Sequence, residues 1–340
     1  MPTFRTGTVA EILVERPGLQ RVNVRLDGAD DPERAYVLTQ LIGDVAVGDE
    51  VVVNTTAVEL GLGTGGWHVV HWNLGRRTWE RKGPGHIMKM RYTSLQADTG
   101  SAEEHLEDLP SDLGGMPVVV CSVHSQIPCV AVALAQARPG TRLVYVMTDG
   151  ASLPLVFSDL VARMRADGLL HGTVTAGHAF GGELEAVTVG SGMALARHQL
   201  GADAIVVGMG PGVVGTDTTL GTTALEVASV LDTAAALGGR PVMALRVSSG
   251  DPRPRHQGVS HHSETVLGLV RSPVTVATHE LLTGHDRHDV VDVDLPDTAG
   301  LLADRDLHVT TMGRSPDEDP AFFSAAGAAG ALVAKLLGPG

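Results

Sequence analysis

Residues 249–262 bring Arg253, Arg255, His256, His261 and His262 within ten positions of one another in a chain that is otherwise acidic. Guanidinium forks grip phosphate or carboxylate through paired hydrogen bonds, so this loop reads as an anion-binding lid, with Ser249 and Asp251 beside its arginines. A loop of solvated surface charges is the competing reading. A second stretch, 206–220, is an apolar run that opens into Gly208, Gly210, Gly212 and Gly215, followed by Thr216 and Asp217. Glycines there would adopt positive φ and let a ligand approach the backbone. The spacing of Leu220, Ala224, Val227, Leu231 and Ala235 predicts a helix whose first N–H groups face that loop. Gly210, Gly212 and Thr216 would then hold the anion, and Arg253 and Arg255 would clamp it. A turn that merely packs helix on sheet is the alternative.

Proton transfer would fall to histidines near strand ends, His124, His178 and His262, with Asp149 among the polar neighbours. His279 and Glu280 close a further strand. Fifteen histidines also raise a metal reading, in which His124, His178, His261, His262 and His279 join Asp149, Glu183 or Asp251. No H-E-x-x-H or paired C-x-x-C spacing supports it, and the adjacent His261 and His262 are expected to diverge. No metal is assigned, and the cofactor stays unknown. Cys121 and His124 stand three residues apart and so face opposite sides of a strand, which favours a buried thiol. Ser191 lacks the full G-x-S-x-G pattern of a nucleophile elbow. Residues 210–215 match G-x-G-x-x-G, but Asp251, the first acidic residue at the next strand's end, lies 36 positions beyond Gly215, where a dinucleotide fold places it about 20 on.

The elements that must position these residues fall into two patterns. From residue 3 to about 74 the chain alternates in short β-branched runs (9–14, 20–26, 35–38, 50–54 and 67–72) separated by turns at 17–18, 27–28 and 47–49. That is the signature of a small all-β barrel or sandwich, taken to occupy residues 1–96. An acidic connector follows over 97–116. From 117 to 340 apolar strands (118–123, 143–147, 172–175, 204–207, 242–247 and 274–277) alternate with helix-length segments near 126–137, 155–166, 187–200, 220–237 and 263–271. Such alternation predicts a Rossmann-like parallel sheet covered on both faces, whose ligands bind at the carboxyl ends of the strands.

The chain has 340 residues, 43% of them hydrophobic, and a net charge of −14. It is large enough for a sizeable core, and its charge argues against nucleic acid or an anionic membrane as partner. All three tryptophans, Trp67, Trp72 and Trp79, lie in a basic stretch. They are read as closing the barrel rather than stacking on bases. Two cysteines fit a reducing cytoplasm, and the N-terminus shows no secretory signal. The Ala/Gly-rich run 325–337 is expected to be too short for a membrane span and is read as a C-terminal helix. Its Gly327 and Gly330 permit close packing in the core or between the subunits of a homodimer.

Residues 83–96, 175–183, 208–221 and 258–262 together resemble a bacterial, mostly actinobacterial, family known as domain of unknown function 3866. The likeness extends over the whole chain and implies a cytoplasmic bacterial protein. It carries no activity or catalytic residue with it. The residues themselves point to a cytoplasmic enzyme, of the hydrolase or transferase class, acting on a small anionic metabolite. The rival is a ligand sensor or scaffold that meets a partner through its β domain.

Overall fold

The computed structural model describes residues 1–62, 65–277 and 285–338. His279 and Glu280 lie outside them. The described chain divides into two compact units, one formed by residues 1–84 and 90–98 and the other by residues 85–89 and 99–340.

The first unit is a closed barrel of five strands, β1 (Phe4–Arg16), β2 (Leu19–Leu26), β3 (Glu33–Val37), β4 (Glu50–Asn54) and β5 (His68–Asn73), in the order β1-β2-β3-β5-β4. All five expected runs are strands. Alternation drives the closure: Val22, Val24 and Leu26, and likewise Val51 and Val53, point into one apolar core. Gly7 on β1 pairs with Leu26 on one side and Val51 on the other. A Cβ there would stand 2.6 Å from the Arg25 carbonyl oxygen, so only glycine lets β1 bend between both neighbours. Trp67 stacks on Tyr36 at 4.7 Å with Arg34 over its face at 4.9 Å. Trp72 packs against the barrel core.

The second unit contains an eight-stranded sheet. Its strands are β6 (Pro117–Cys121), β7 (Leu143–Thr148), β8 (Gly172–Ala176), β9 (Leu184–Ala186), β10 (Ala204–Met209) and β11 (Arg240–Ala244), then β14 (Thr275–Ala277) and β15 (Asp289–Val291). They run β9-β8-β7-β10-β6-β11-β14-β15, every pair parallel. Two short strands, β12 (Val247–Ser248) and β13 (Gly258–Val259), form a separate antiparallel pair. The central strands are apolar on both faces. Val119, Tyr145, Val206 and Val242 face one helical layer, α1 (Gln126–Ala137), α2 (Asp159–Ala166), α6 (Thr298–Ala303) and α7 (Pro320–Leu337). Val118, Val144, Ile205 and Met243 face the other, α3 (Val189–His198), α4 (Glu226–Ala236) and α5 (His261–Leu269). A parallel sheet buried on both sides requires that pattern.

Two expectations change in the structure, those for the stretch 97–116 and for the C-terminal helix, and Ser191, already excluded as a nucleophile, takes a structural role. The acidic stretch 97–116 is not a free-running surface connector beyond residue 98. It belongs to the second unit, where Leu113 is fully buried and its N–H donates to the Leu237 carbonyl at 2.7 Å. Ser191 serves as the third residue of a capping box, its N–H donating to Thr188 Oγ1 at 3.1 Å. Helix α7 is longer than the expected run. Its 18 residues satisfy the length and hydropathy of a membrane span, yet its buried face packs on α1. A Cβ on Gly330 would meet the Val130 carbonyl oxygen at 2.3 Å, and one on Gly327 the Thr298 hydroxyl at 2.0 Å, so these glycines set helix spacing within the chain.

Lys89, from the basic stretch, is fully buried in the second unit. Its ammonium donates to the carbonyls of Thr175 (3.1 Å) and Ala179 (2.6 Å) and to Glu185 Oε2 (2.6 Å). Thr175 Oγ1 and the Gly181 N–H also donate to the Glu185 carboxylate. Lys89→Ala leaves that carboxylate buried without its counter-charge and should cost about 3–5 kcal/mol in urea unfolding. A loss below about 1 kcal/mol would contradict the reading of a buried, fully partnered ion pair.

Candidate functional site

The strand order reverses at β6, where a doubly wound sheet usually opens a ligand crevice. Gln126, at the start of α1, fills that place here. Its Oε1 accepts from the Ser122 N–H (2.9 Å), and its Nε2 donates to the carbonyls of Ala244 (3.1 Å) and Leu245 (2.9 Å). The ends of β6 and β11 are thereby tied together, and the polar groups gather in the loop that follows β11.

That loop is built around a carboxylate. The β12/β13 pair folds residues 249–257 back on themselves, and Asp251 at their centre has a fully buried side chain. It accepts from Arg253 Nε and Nη2 (2.9 and 2.8 Å) and Arg314 Nη2 (3.1 Å), with Arg246 Nη2 at 3.7 Å. The Arg253 hydrogen bonds hold its carboxyl well below the usual carboxylate range. A second buried carboxylate, Asp319, accepts from Ser248 Oγ (2.6 Å), the Ser249 N–H (2.8 Å) and Arg314 Nε (3.0 Å). Ser249, Asp251 and Arg253, expected to touch ligand, thus spend these hydrogen bonds on the loop's own framework.

The loop ends at three imidazoles. His256 closes a 3₁₀ turn (Pro254–His256), and Ser260 caps α5, on whose first turn His261 and His262 stand. Ring centroids are 5.0 Å apart for His256 with either neighbour and 4.2 Å for His261 with His262. The adjacent histidines therefore converge instead of diverging. His256 Nδ1 lies 2.8 Å from Ser260 Oγ. His256 Nε2, His261 Nε2 and both ring nitrogens of His262 are buried without a hydrogen-bond partner, as are Arg246 Nη2 and Arg255 Nε. Burial, then the Arg246 and Arg253 charges, drive the His256 pKa down to about 3. Burial, then His261 and Arg246, bring His262 to about 4. These rings are neutral at pH 7.

The glycine loop meets this one through Arg255, whose Nη2 lies 2.6 Å from Asp217 Oδ1. Its glycines divide by role. Gly208 lies inside β10, and a Cβ on Gly210 would strike the Ser152 carbonyl oxygen at 2.5 Å, so both serve packing. Gly215 bridges Thr222. Of the four, only Gly212 has positive φ (105°), and nothing lies within 4 Å of the place its Cβ would take. Thr216 is held by Thr218 Oγ1 (2.9 Å) and its N–H donates to the Gly221 carbonyl (2.6 Å). The loop thus closes as a turn, and the helix expected from residue 220 starts at Glu226 after a 3₁₀ segment (Thr223–Leu225). Its first turn does not open on the glycines.

His124 is buried between the Met209 carbonyl (3.2 Å) and Ser158 Oγ (2.7 Å), and burial lowers its pKa to about 4. Ser158 in turn caps α2. His124 is therefore neutral near pH 7 and links the end of β10 to the start of α2. The His178 N–H donates to Asp149 Oδ2 at 2.9 Å. Cys121 and Cys129 are buried free thiols, their pKa values pushed up by burial. The sequence reading missed Glu226. Burial, opposed by the Thr148 hydroxyl at 2.5 Å and reinforced by Asp149, pushes its pKa up to about 7.

The fold and the site define a two-unit protein in which a closed five-strand barrel precedes a parallel α/β sheet carrying a guanidinium and imidazole cluster beyond one strand end. The chain belongs to the family described as "Protein of unknown function (DUF3866)", whose model matches residues 34–330. No curated protein and no solved structure matches it.

Glu226 yields a pH prediction. Its carboxyl ionises near pH 7 when folded against about 4.5 when unfolded, so the native state keeps the proton longer as pH rises. Ionisation costs nothing below about pH 4.5 and about 3 kcal/mol above pH 7. The stability of Glu226→Gln relative to the native chain should therefore rise by about 3 kcal/mol between pH 4.5 and pH 8 in urea melts. A difference independent of pH would contradict the buried, proton-holding carboxyl.

Proposed function

We propose that the protein binds a small oxyanion, a phosphate- or carboxylate-bearing metabolite, between the 246–262 loop and the glycine loop, and acts on it as an enzyme. The observation that carries this reading is the pair of buried donors, Arg246 Nη2 and Arg255 Nε, that make no hydrogen bond beside three imidazoles, the Asp251 carboxylate standing 3.7 Å from the first. Buried polar groups without partners are costly, and an oxyanion satisfies several of them at once. Arg246 and Arg255 replace the Arg253–Arg255 clamp expected from sequence, because Arg253 is bound to Asp251 on two atoms.

Enzymatic action is supported by Glu226. It adjoins the 3₁₀ segment that packs on α5, and its carboxyl titrates near neutrality, where general acid–base groups work best. Imidazoles kept neutral by burial and by the neighbouring guanidinium charges suit hydrogen bonding or ligation better. The rival reading, a sensor that meets a partner through its barrel, has one observation in its favour. Tyr36 and Trp67 form a half-buried stacked pair flanked by Arg21 and Arg34.

Inorganic phosphate, sugar phosphates, nucleotides and small carboxylates would be screened by thermal shift. At about 100 times its dissociation constant a true ligand stabilises the chain by roughly 2.7 kcal/mol. Arg255→Ala should weaken that ligand about tenfold or more with little effect on the free protein, since its partner Asp217 is exposed. No shift from any compound, or an equal shift in Arg255→Ala, would refute the assignment. Turnover of the bound compound separates enzyme from sensor.

A further inference from the structure

We infer that His256, His261 and His262 form a three-imidazole site for a divalent transition metal of the zinc class, leaving a further coordination position for water or for an oxygen of the bound anion. The inference deepens the proposed anion site and rests on the same loop. One ring nitrogen from each of the three histidines lies within 4.8 Å of the other two. His256 and His262 are more than nine-tenths buried, and His256 Nε2, His261 Nε2 and both ring nitrogens of His262 have no hydrogen-bond partner. A neutral imidazole carries one donor and one lone pair. Packing three together cannot satisfy them all, whereas one metal ion takes a lone pair from each.

The surroundings are arranged for ligation. Ser260 Oγ, 2.8 Å from His256 Nδ1, accepts the Nδ1–H in the tautomer that leaves Nε2 free to bind, the usual outer partner of a metal-bound histidine. Three nitrogen ligands with no carboxylate oxygen or thiolate among them suit zinc, cobalt, nickel, copper or iron and disfavour magnesium and calcium. Three protein ligands with an open position is also the pattern of catalytic zinc. The neighbouring guanidiniums do not forbid a cation. Arg246, Arg253, Arg255 and Arg314 stand with Asp217, Asp251 and Asp319, four positive charges against three negative. A metal beside Arg246 and Arg255 turns the place into a strongly anion-selective one, which joins the metal to the oxyanion.

The test uses the full-length protein without a histidine tag, stripped by a chelator and titrated with Zn²⁺ and, for its visible spectrum, Co²⁺. One equivalent should bind, with the cobalt bands of a site of nitrogen ligands and low coordination number. His261→Ala, at a half-buried position on the first turn of α5, should weaken uptake at least about 100-fold, His262→Asn should do the same, and His171→Ala, exposed elsewhere, should change nothing. Failure of Zn²⁺, Co²⁺, Ni²⁺, Cu²⁺ and Fe²⁺ to bind stoichiometrically, or undiminished uptake in His261→Ala, would overturn the inference. Inorganic phosphate titrated into stripped and metal-loaded protein keeps the two readings apart. Phosphate bound to a chain that takes up no metal sinks the metal site and leaves the anion site standing. Metal uptake with no phosphate bound in either form does the reverse.

Discussion

A carboxylate taken out of water must be compensated by charge and hydrogen bonds or it does not stay ionised. Asp251 is the carboxylate on which this site depends. Arg253 and Arg314 hold it directly, and Asp319 takes the other side of Arg314 together with Ser248 and the backbone of Ser249. A loop rich in proline and charge, with little apolar surface of its own, is thereby fixed to the end of β11 and to the start of α7. Gly250 shows how tight the arrangement is, because a Cβ there would lie 2.2 Å from the Glu318 carbonyl oxygen. The three histidines converge because this knot fixes one end of their loop and the Ser260 cap fixes the other.

The same arginines decide what the histidines are fit for. Burial and positive neighbours keep His256 and His262 neutral far below pH 7, so they present lone pairs rather than charge. Near-neutral titration passes instead to Glu226, on the first turn of α4 and hydrogen-bonded to Thr148 at the end of β7, where burial and Asp149 raise it. Two kinds of group with pKa values pushed apart on one sheet edge is the usual arrangement of acid–base and binding roles in a site. Gln126, by sealing the crevice at β6, moves these roles outward into the loops.

Much of the architecture was legible because it follows from periodicity. Alternating Val and Leu in 20–26 and the β-branched run of valines in 50–54 mark barrel strands, and uninterrupted apolar runs at 143–147 and 204–207 mark a sheet buried on both faces. The edge strands Leu184–Ala186 and Asp289–Val291 were hidden, since each is three residues long and only partly buried. The site was harder to read. Helical spacing of Leu220 and Ala224 suggested a helix start that local Thr216 and Thr218 hydrogen bonds override, and this concealed Glu226 on the true first turn. The convergence of His261 with His262 depends on ring rotation at a helix start, and the partnering of Lys89 with Glu185 joins residues 96 positions apart. Neither follows from local sequence.

The central claim is that the unpartnered nitrogens of the 246–262 loop belong to a ligand site. Crystals of gently purified protein, with diffraction measured on both sides of the zinc absorption edge, test it most directly. The account predicts an anomalous peak about 2.0–2.1 Å from one nitrogen each of His256, His261 and His262, with non-protein density against Arg246 and Arg255. Three imidazoles closed on one another, with the guanidinium groups turned to protein acceptors and no density between them, would contradict it.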